Sequence, residues 1–310
     1  MKEKTKEVNK SYKYRIYPSF EQQKILNNNI GANRFVFNQL KGMSDFQYKY
    51  PCYGNSIEFN PFNKYSCQNF SKQLKDCFNF LNEADAKSIQ IRAQSFAQGM
   101  INITNSSFGF LKFKNRKDSK QSYTTTYVKI VEGKLKLPKI KETIKMKYIR
   151  PINGKILSGT VSNENNKWYI SINVSKSIVT SKPKTSKIIG IDLGLKNSIN
   201  CSTGFKSGKI LLKKLDTKIK RLHQILAKKE IYHKNWFKTK AKLRKTYISK
   251  KNKIIDSIHK LTTNIVTDFD EIYVGNVNNK LGLKNKNLAK TTADQHWYEI
   301  KRQLKYKSDW

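Results

Sequence analysis

Apolar and polar positions alternate over residues 11–17, Ser-Tyr-Lys-Tyr-Arg-Ile-Tyr, and predict a β-strand closed by Pro18. Ser19 followed three residues later by Gln22 makes a capping box that opens a helix. The apolar positions of that helix are Ile25, Leu26, Phe35, Val36 and Leu40, with Gly42 expected beyond its last turn. A loop rich in Asn, Tyr, Phe and Pro is expected from about 44 to 67. Ile89, Ala93, Phe96, Met100 and Ile103 then recur four, three, four and three apart, which is one helical stripe. Residues from about 19 to 108 therefore read as mostly helical.

The pattern changes after residue 108. Phe108-Gly109-Phe110-Leu111-Lys112-Phe113-Lys114-Asn115-Arg116-Lys117 interleaves aromatic and basic groups. Short alternating runs fill 123–175, among them Lys134–Leu137 and Trp168–Ile172, separated by turn signals such as Glu132-Gly133 and Asn153-Gly154. They predict a small β-barrel-like unit. The Ser-, Thr- and Lys-rich stretch that follows, with Pro183, reads as a linker. Strands are expected at 188–193, 197–202 and 208–213, joined as consecutive hairpins. A helical hairpin follows, with Leu215, Ile219, Leu222 and Leu226 on its first arm and Ile254, Ile258, Leu261 and Ile265 on its second. Glu271–Val277 predicts another buried strand. A last helix is expected over about 291–306, with Thr292 and Gln295 as its capping box and Ala293, Trp297, Ile300 and Leu304 as its stripe.

Charge narrows the function. The 310 residues carry 62 Lys and Arg against 22 Asp and Glu, a formal net charge of +40. A chain so charged repels itself unless a polyanion neutralises it, and nucleic acid is the expected partner. Between 206 and 253 there are eighteen Lys and Arg against only Asp216 and Glu230, a stretch suited to tracking a phosphate backbone. No run of about 18 apolar residues predicts a membrane span. No signal peptide is visible, and Cys52, Cys67, Cys77 and Cys201 form no Cys-x-x-Cys pair. A reducing cytoplasm is expected, without zinc.

Lys187–Asn197 carries the chemistry. It reads as a buried strand that delivers Asp192 to its end, with Gly194 allowing a tight turn. Gly190-Ile-Asp-Leu-Gly is used by two families, the actin and heat-shock ATPases and the RuvC-like nucleases. The wider pattern favours the second. Ser11–Gln23, Gly31–Gln39, Glu83–Gln90, Gly109–Tyr123, Leu135–Lys139, Gly190–Asn197 and Leu288–Lys307 resemble, in order, segments of the TnpB (OrfB) family of transposon-encoded RNA-guided DNA nucleases.

The resemblance implies an α+β multidomain chain. Residues 1–18 would give the first barrel strand, 19–108 a helical recognition lobe inserted in the barrel, and 109–175 the rest of the β-barrel. A linker at 176–187 would lead to an RNase H-like (RuvC) domain over 188–310. The implied partners are a guide RNA from the transposon end and double-stranded target DNA, in the cytoplasm at the nucleoid. Base pairing would read sequence while the protein tracks the backbone. Candidate contacts are Tyr12, Lys13, Arg15, Arg34, Lys112, Lys114, Arg116, Lys120 and Tyr123, with Lys284 and Arg302 near the heteroduplex.

The catalytic pattern is incomplete. A two-magnesium centre needs carboxylates from separate segments. Asp192 matches the first, but Gly275 stands where the family usually has Glu. A related subgroup with Gly there recruits a Glu farther downstream. That segment, the third carboxylate and the zinc module find no match before Trp310, so a C-terminally shortened, cleavage-deficient relative is expected. Asp268, Asp270, Asp294, Glu299 and Asp309 read as surface or capping groups, and His223, His233, His259 and His296 as polar contacts. Asp192 alone would hold Mg²⁺ weakly. Two alternatives stay open: an active Mg²⁺-dependent RNA-guided DNA endonuclease, and a non-specific RNA-binding protein.

Overall fold

The computed structural model describes residues 5–51, 58–104, 109–118, 120–179, 185–208, 210, 212–276, 284 and 289–309. The class is α+β, and the chain divides into two units. One comprises Asn9–Ser177. The other comprises residues from Ile178 onward together with the N-terminus up to Val8.

In the first unit, strand β1 (Thr5–Tyr17) leads through Pro18 into helix α1 (Phe20–Lys49). The capping box forms as the sequence requires. Ser19 Oγ accepts from the Gln22 amide at 3.3 Å, and Gln22 Oε1 accepts from the Ser19 amide at 3.0 Å. Gly42 does not end the helix. It lies inside α1 with open space where a side chain would be. The packed stripe of Val36, Phe37 and Leu40 continues to buried Ser44, and tertiary contacts outweigh the roughly 1 kcal/mol that a mid-helix glycine costs. The expected loop at 44–67 is corrected at both ends. Its last four residues begin helix α2 (Lys64–Cys77), which Asn63 caps by accepting from the Tyr65 and Ser66 amides. Helices α3 (Phe80–Glu83) and α4 (Ala86–Thr104) follow. Val36, Leu40, Cys67, Leu81, Ile89, Ala93 and Phe96 form the helical core.

A five-stranded sheet takes in β1, β2 (Lys120–Thr125), β5 (Lys145–Met146), β6 (Lys155–Glu164) and β7 (Lys167–Val179) in the order β2-β6-β7-β1-β5. The N-terminal strand thus lies between strands that come more than a hundred residues later, with all the helices of this unit intervening in sequence between β1 and β2. A small hairpin, β3 (Lys129–Val131) and β4 (Lys134–Lys136), continues past β5 through a bridge between Leu135 and Ile144. Among the described residues no pairing joins β2 to β5. Ile16, Leu26, Tyr123, Leu135, Ile144, Ile170 and Ile172 fill the core beneath this sheet.

The second unit is built on a four-stranded sheet in which the first three strands in sequence are neighbours and the fourth lies beside the first. Strands β8 (Ile188–Asp192), β9 (Ile199–Cys201) and β10 (Lys206–Ser207) are consecutive antiparallel hairpins. The third expected strand, 208–213, is displaced: β10 is two residues long and precedes Gly208, and Lys213 already starts a helix. The basic helical hairpin forms as α5 (Lys213–Ala227) and α6 (Lys234–Asp268), and returns the chain to β11 (Glu271–Val274), parallel to β8. Val277, the expected end of that strand, lies outside the described residues, as do Cys52 and most of 277–288. The last helix is two: α7 (Ala289–Asp294) and α8 (Trp297–Ser308). Thr292 and Gln295 form no capping box, and Ala293 is exposed. The break falls at Gln295 and His296, whose backbone is left-handed at φ 55°. Trp297, Ile300 and Leu304 do face the core, against Ile189, Ile191, Ile258 and Ile265. No helix among the described residues is long and apolar enough to cross a membrane.

Candidate functional site

Strand β8 alternates strictly. Ile189, Ile191 and Leu193 are buried, so Asp192 points to the opposite face and is exposed at the strand's end. Asp192 pairs across the sheet with Asn200, and the Gly275 amide donates to Ile191 O at 2.9 Å on the other side. A Cβ on Gly275 would lie 3.7 Å from Asp192 Oδ1 and 3.5 Å from Ile191 O, ordinary contact distances. A side chain at 275 would thus sit beside the Asp192 carboxylate. Glycine leaves that place without a second acid.

The loop after Asp192 is held from a distance in sequence. Buried Gln295 accepts from Ser198 Oγ at 2.6 Å and donates to Leu195 O at 2.8 Å. Asn197 Nδ2 donates to Asn200 Oδ1 at 3.1 Å. A Cβ on Gly194 would meet Asn197 O at 3.1 Å and Asn200 Nδ2 at 3.2 Å, so this turn fits glycine closely.

Two of the other candidate acids are occupied elsewhere. Asp270, at the N-terminal end of β11, accepts from the Ser186 amide at 2.7 Å. Since β8 and β11 are parallel, this is the end away from Asp192. Glu299 takes a forked bond from Arg302, at 2.9 and 2.7 Å, and another from Gln303 at 2.8 Å. The Arg302 bond is the main reason its carboxyl lies below the usual range. His223 Nε2 is 2.9 Å from the Tyr247 hydroxyl, and His233 is 3.2 Å from Glu230. Among the described residues no three His, Cys, Asp or Glu converge in a way that could hold a metal ion. One carboxylate does not fit a two-ion centre.

A second constellation lies in the unit of residues 9–177. A polar cleft of about 80 Å³ is lined by Arg34 of α1, Arg92 of α4, Lys114, and Lys120 at the start of β2. Asp118 is its one carboxylate, and that group is engaged by the Asn115 amide at 3.1 Å. Gln121 organises the rim. Its Oε1 accepts from Arg34 Nη1 at 3.2 Å, while its Nε2 donates to Asn115 O at 2.9 Å and Asp118 O at 3.2 Å. Asn38 and Lys114 exchange side-chain and backbone bonds at 3.1 and 2.9 Å, which fixes the preceding segment to α1. Arg92 Nη2 donates to Ser122 O at 3.1 Å, but its buried Nε has no partner. Burial pulls Arg92 below the usual guanidinium range. Lys114 is also lowered, first by burial and then by Arg92. Cations crowded and desolvated in this way are stabilised by an anion placed among them.

The other predicted contacts disperse. On the sheet surface Lys13 bonds to Glu164 at 3.0 Å, Lys120 lies 3.5 Å from the same carboxylate, and Lys13 and Arg15 approach the Tyr169 ring at 4.5 and 5.1 Å. Tyr12 is half-buried and stacked with Tyr14. Lys112, Arg116 and Lys284 are exposed. Arg302 is forked onto Glu299. Tyr123 is corrected from stacking platform to core residue: it is 1% exposed and packs among Ile16, Val161 and Ile170. Sequence reading missed Arg92. The signal was there, since position 92 falls three after Ile89 and one before Ala93, on the edge of the apolar stripe of α4.

Residues 160–286 match the family model OrfB_IS605, described as "Probable transposase", and residues 5–50 match a "Helix-turn-helix domain" model of the same group. In this chain the latter span is one strand followed by one long helix. A Streptomyces pristinaespiralis protein named "Putative RNA-guided DNA endonuclease" is 24% identical over 311 residues, covering 98% of this chain and 76% of its own. The Escherichia coli K12 protein "Putative RNA-guided DNA endonuclease InsQ" is 24% identical over 320 residues, covering 97% and 78%. The fold is similar to that in the cryo-EM structure of a Cas12f1-sgRNA-target DNA complex. The TM-score is 0.55 at 10% identity, over 98% of this chain and 87% of the other.

Proposed function

This chain belongs to the TnpB (OrfB) family, and on that premise we propose that it binds a guide RNA and double-stranded target DNA without cutting the DNA. The observation that carries the binding reading is the cleft of Arg34, Arg92, Lys114 and Lys120, four lining cations with one occupied carboxylate among the lining residues and Glu164 near Lys120 alone. It suits a backbone phosphate of the RNA. Lys13, Arg15, Tyr12, Lys112 and Arg116 are further contacts elsewhere in this unit, and Lys284 and Arg302 serve the second unit. The sheet and hairpin of residues 9–177 act as the barrel-like support, and the sheet carrying Asp192 as an incomplete RuvC-like domain. The work takes place in the cytoplasm, on nucleoid DNA.

The absence of cleavage rests on Asp192 standing beside Gly275 rather than beside a second acid. The alternative, an active Mg²⁺-dependent endonuclease, is favoured by one feature: Asp192 is exposed at the end of its strand, where a phosphate could reach it.

One experiment separates the readings. The protein is mixed with RNA transcribed from the DNA flanking its gene, and with unrelated RNA of equal length, over a salt series. The expected result is preference for the flanking RNA, with Arg92→Met and Arg34→Ala each lowering the salt slope by about one counterion. Equal affinity for both RNAs would mean non-specific binding. The loaded complex is then given matched plasmid and Mg²⁺. Robust cutting that Asp192→Ala abolishes would overturn the non-cleaving assignment.

A further inference from the structure

The turn joining α5 to α6, Lys228–His233, carries an aromatic cluster that neither the cleft nor Asp192 uses. Tyr232 and Phe237 are 69% and 53% exposed. The rings of Tyr232, Trp236 and Phe237 contact one another, with centroids 5.7, 5.1 and 6.4 Å apart. Lys240 lies 4.1 Å over the Trp236 ring and covers that face. Three aromatic side chains at a helical tip ordinarily turn inward. Here Tyr232 adopts φ 73°, a left-handed conformation that bulky residues avoid, and its ring is exposed. The turn is also braced. Lys229 Nζ donates to Asn235 O at 3.2 Å and to buried Thr239 at 2.7 Å, closing the loop onto the first turn of α6.

The surroundings name the occupant. Lys228, Lys234 and Lys238 lie in the same segment and are exposed, as is Ile231, and the one acid of the turn, Glu230, is 3.2 Å from His233. Exposed aromatic rings, tilted 47–84° to one another, in a lysine-rich segment with Lys240 over one ring match a nucleobase with its phosphates better than an apolar peptide. Resting on the reading that this chain binds nucleic acid, we infer that Tyr232 and Phe237 form a stacking platform for an unpaired base, with the flanking lysines on the adjoining phosphates. The site is separate from the cleft in residues and in unit.

The test uses the full chain and a short unstructured single-stranded DNA that carries 2-aminopurine. Binding is expected to change the 2-aminopurine emission as its base stacks on a ring. The Tyr232→Ala/Phe237→Ala double variant should lose that change and bind roughly 5- to 150-fold more weakly. Tyr232→Trp should keep both. Because the altered rings are exposed, the double variant should melt as the parent does, and flanking-RNA binding through the cleft should be unchanged. Equal oligonucleotide affinity and equal emission with and without the rings would overturn the inference while leaving the family reading intact. No oligonucleotide binding by the parent would overturn the inference, and loss of flanking-RNA binding as well would sink both. A double variant that instead lost vesicle binding or self-association, with its DNA affinity unmoved, would assign the patch to a membrane or a protein and would also overturn it.

Discussion

Gln295 connects the break between α7 and α8 to the loop that follows Asp192, and its removal should be costly. The amide is 1% exposed, and Ser198, which donates to it at 2.6 Å, is 5% exposed. Gln295→Met keeps the length and volume but offers no polar partner. The lost bond is worth about 0.5–1.5 kcal/mol, and a buried hydroxyl left unpaired costs a further ~1–3 kcal/mol. Leu195 O, the other partner, lies on an exposed residue and can turn to water, so it adds little. The expected loss is about 2–3 kcal/mol, confined to the unit containing Ile178–Trp310. Native-state hydrogen exchange reads it directly, because the Ser198 amide donates to Ser207 O and should open more readily in the variant. Ser198→Ala/Gln295→Met removes both ends of the bond and should recover about 1–2 kcal/mol of the loss. Unchanged protection in Gln295→Met, or a double variant as unstable as the sum of the single ones, would refute the argument.

Three other outcomes follow from particular contacts. Burial tends to raise the Glu164 carboxyl, but the hydrogen bond and charge of Lys13, and then Lys120, more than offset it and leave it below the usual range. Its contribution to stability is therefore complete above the ordinary carboxylate pKa of about 4.3 and is lost as pH falls through the lower folded value. Urea midpoints recorded down that range should fall less steeply for Glu164→Gln than for the parent. Burial pushes the Cys67 thiol up to about 12, so iodoacetamide should modify exposed Cys77 well before Cys67 in the native chain, with the difference erased in urea. Gly154 has φ 126°, and a Cβ there would lie 2.4 Å from Ser175 O. Gly204 has φ 83° but open space around it. Gly154→Ala should cost about 2–4 kcal/mol and Gly204→Ala about 1 kcal/mol, measured by denaturant unfolding.

What could be read from sequence was whatever depends on near neighbours. The box of Ser19 and Gln22, the stripe of α4 and the hairpin of α5 and α6 need only residues three or four apart, and each formed as its pattern dictated. The alternation of Ile189, Ile191 and Leu193 likewise fixes the face on which Asp192 emerges. Gly42 misled because an end signal was weighed without the core that α1 packs against. Ser44, on the far side of that glycine, is buried there. Tyr123 misled for a related reason. Its neighbours are polar and basic, but β2 is paired with β6, and the pleat turns Tyr123 and Thr125 inward.

The break between α7 and α8 shows why the local rule fails where it does. Thr292 and Gln295 have the spacing of a cap, and a cap would spend the Gln295 side chain on its own backbone. The fold spends it on Ser198 and Leu195 instead, about a hundred residues away, and the chain turns through a left-handed His296 so that Trp297 reaches the core. Spacing cannot distinguish these two uses of one amide. The choice is made by which polar groups the sheet leaves buried, and Ser198 is such a group because β9 must begin immediately after it to place Ile199 and Cys201 in the core. The same logic applies to Arg92. Its position on α4 is set by the apolar stripe, but its company of Arg34, Lys114 and Lys120 is set by where β2 and the preceding segment cross that helix. A charge read singly along the sequence is one of sixty-two. Gathered by the fold around a cleft, it stands beside three other cations with its buried Nε unpartnered.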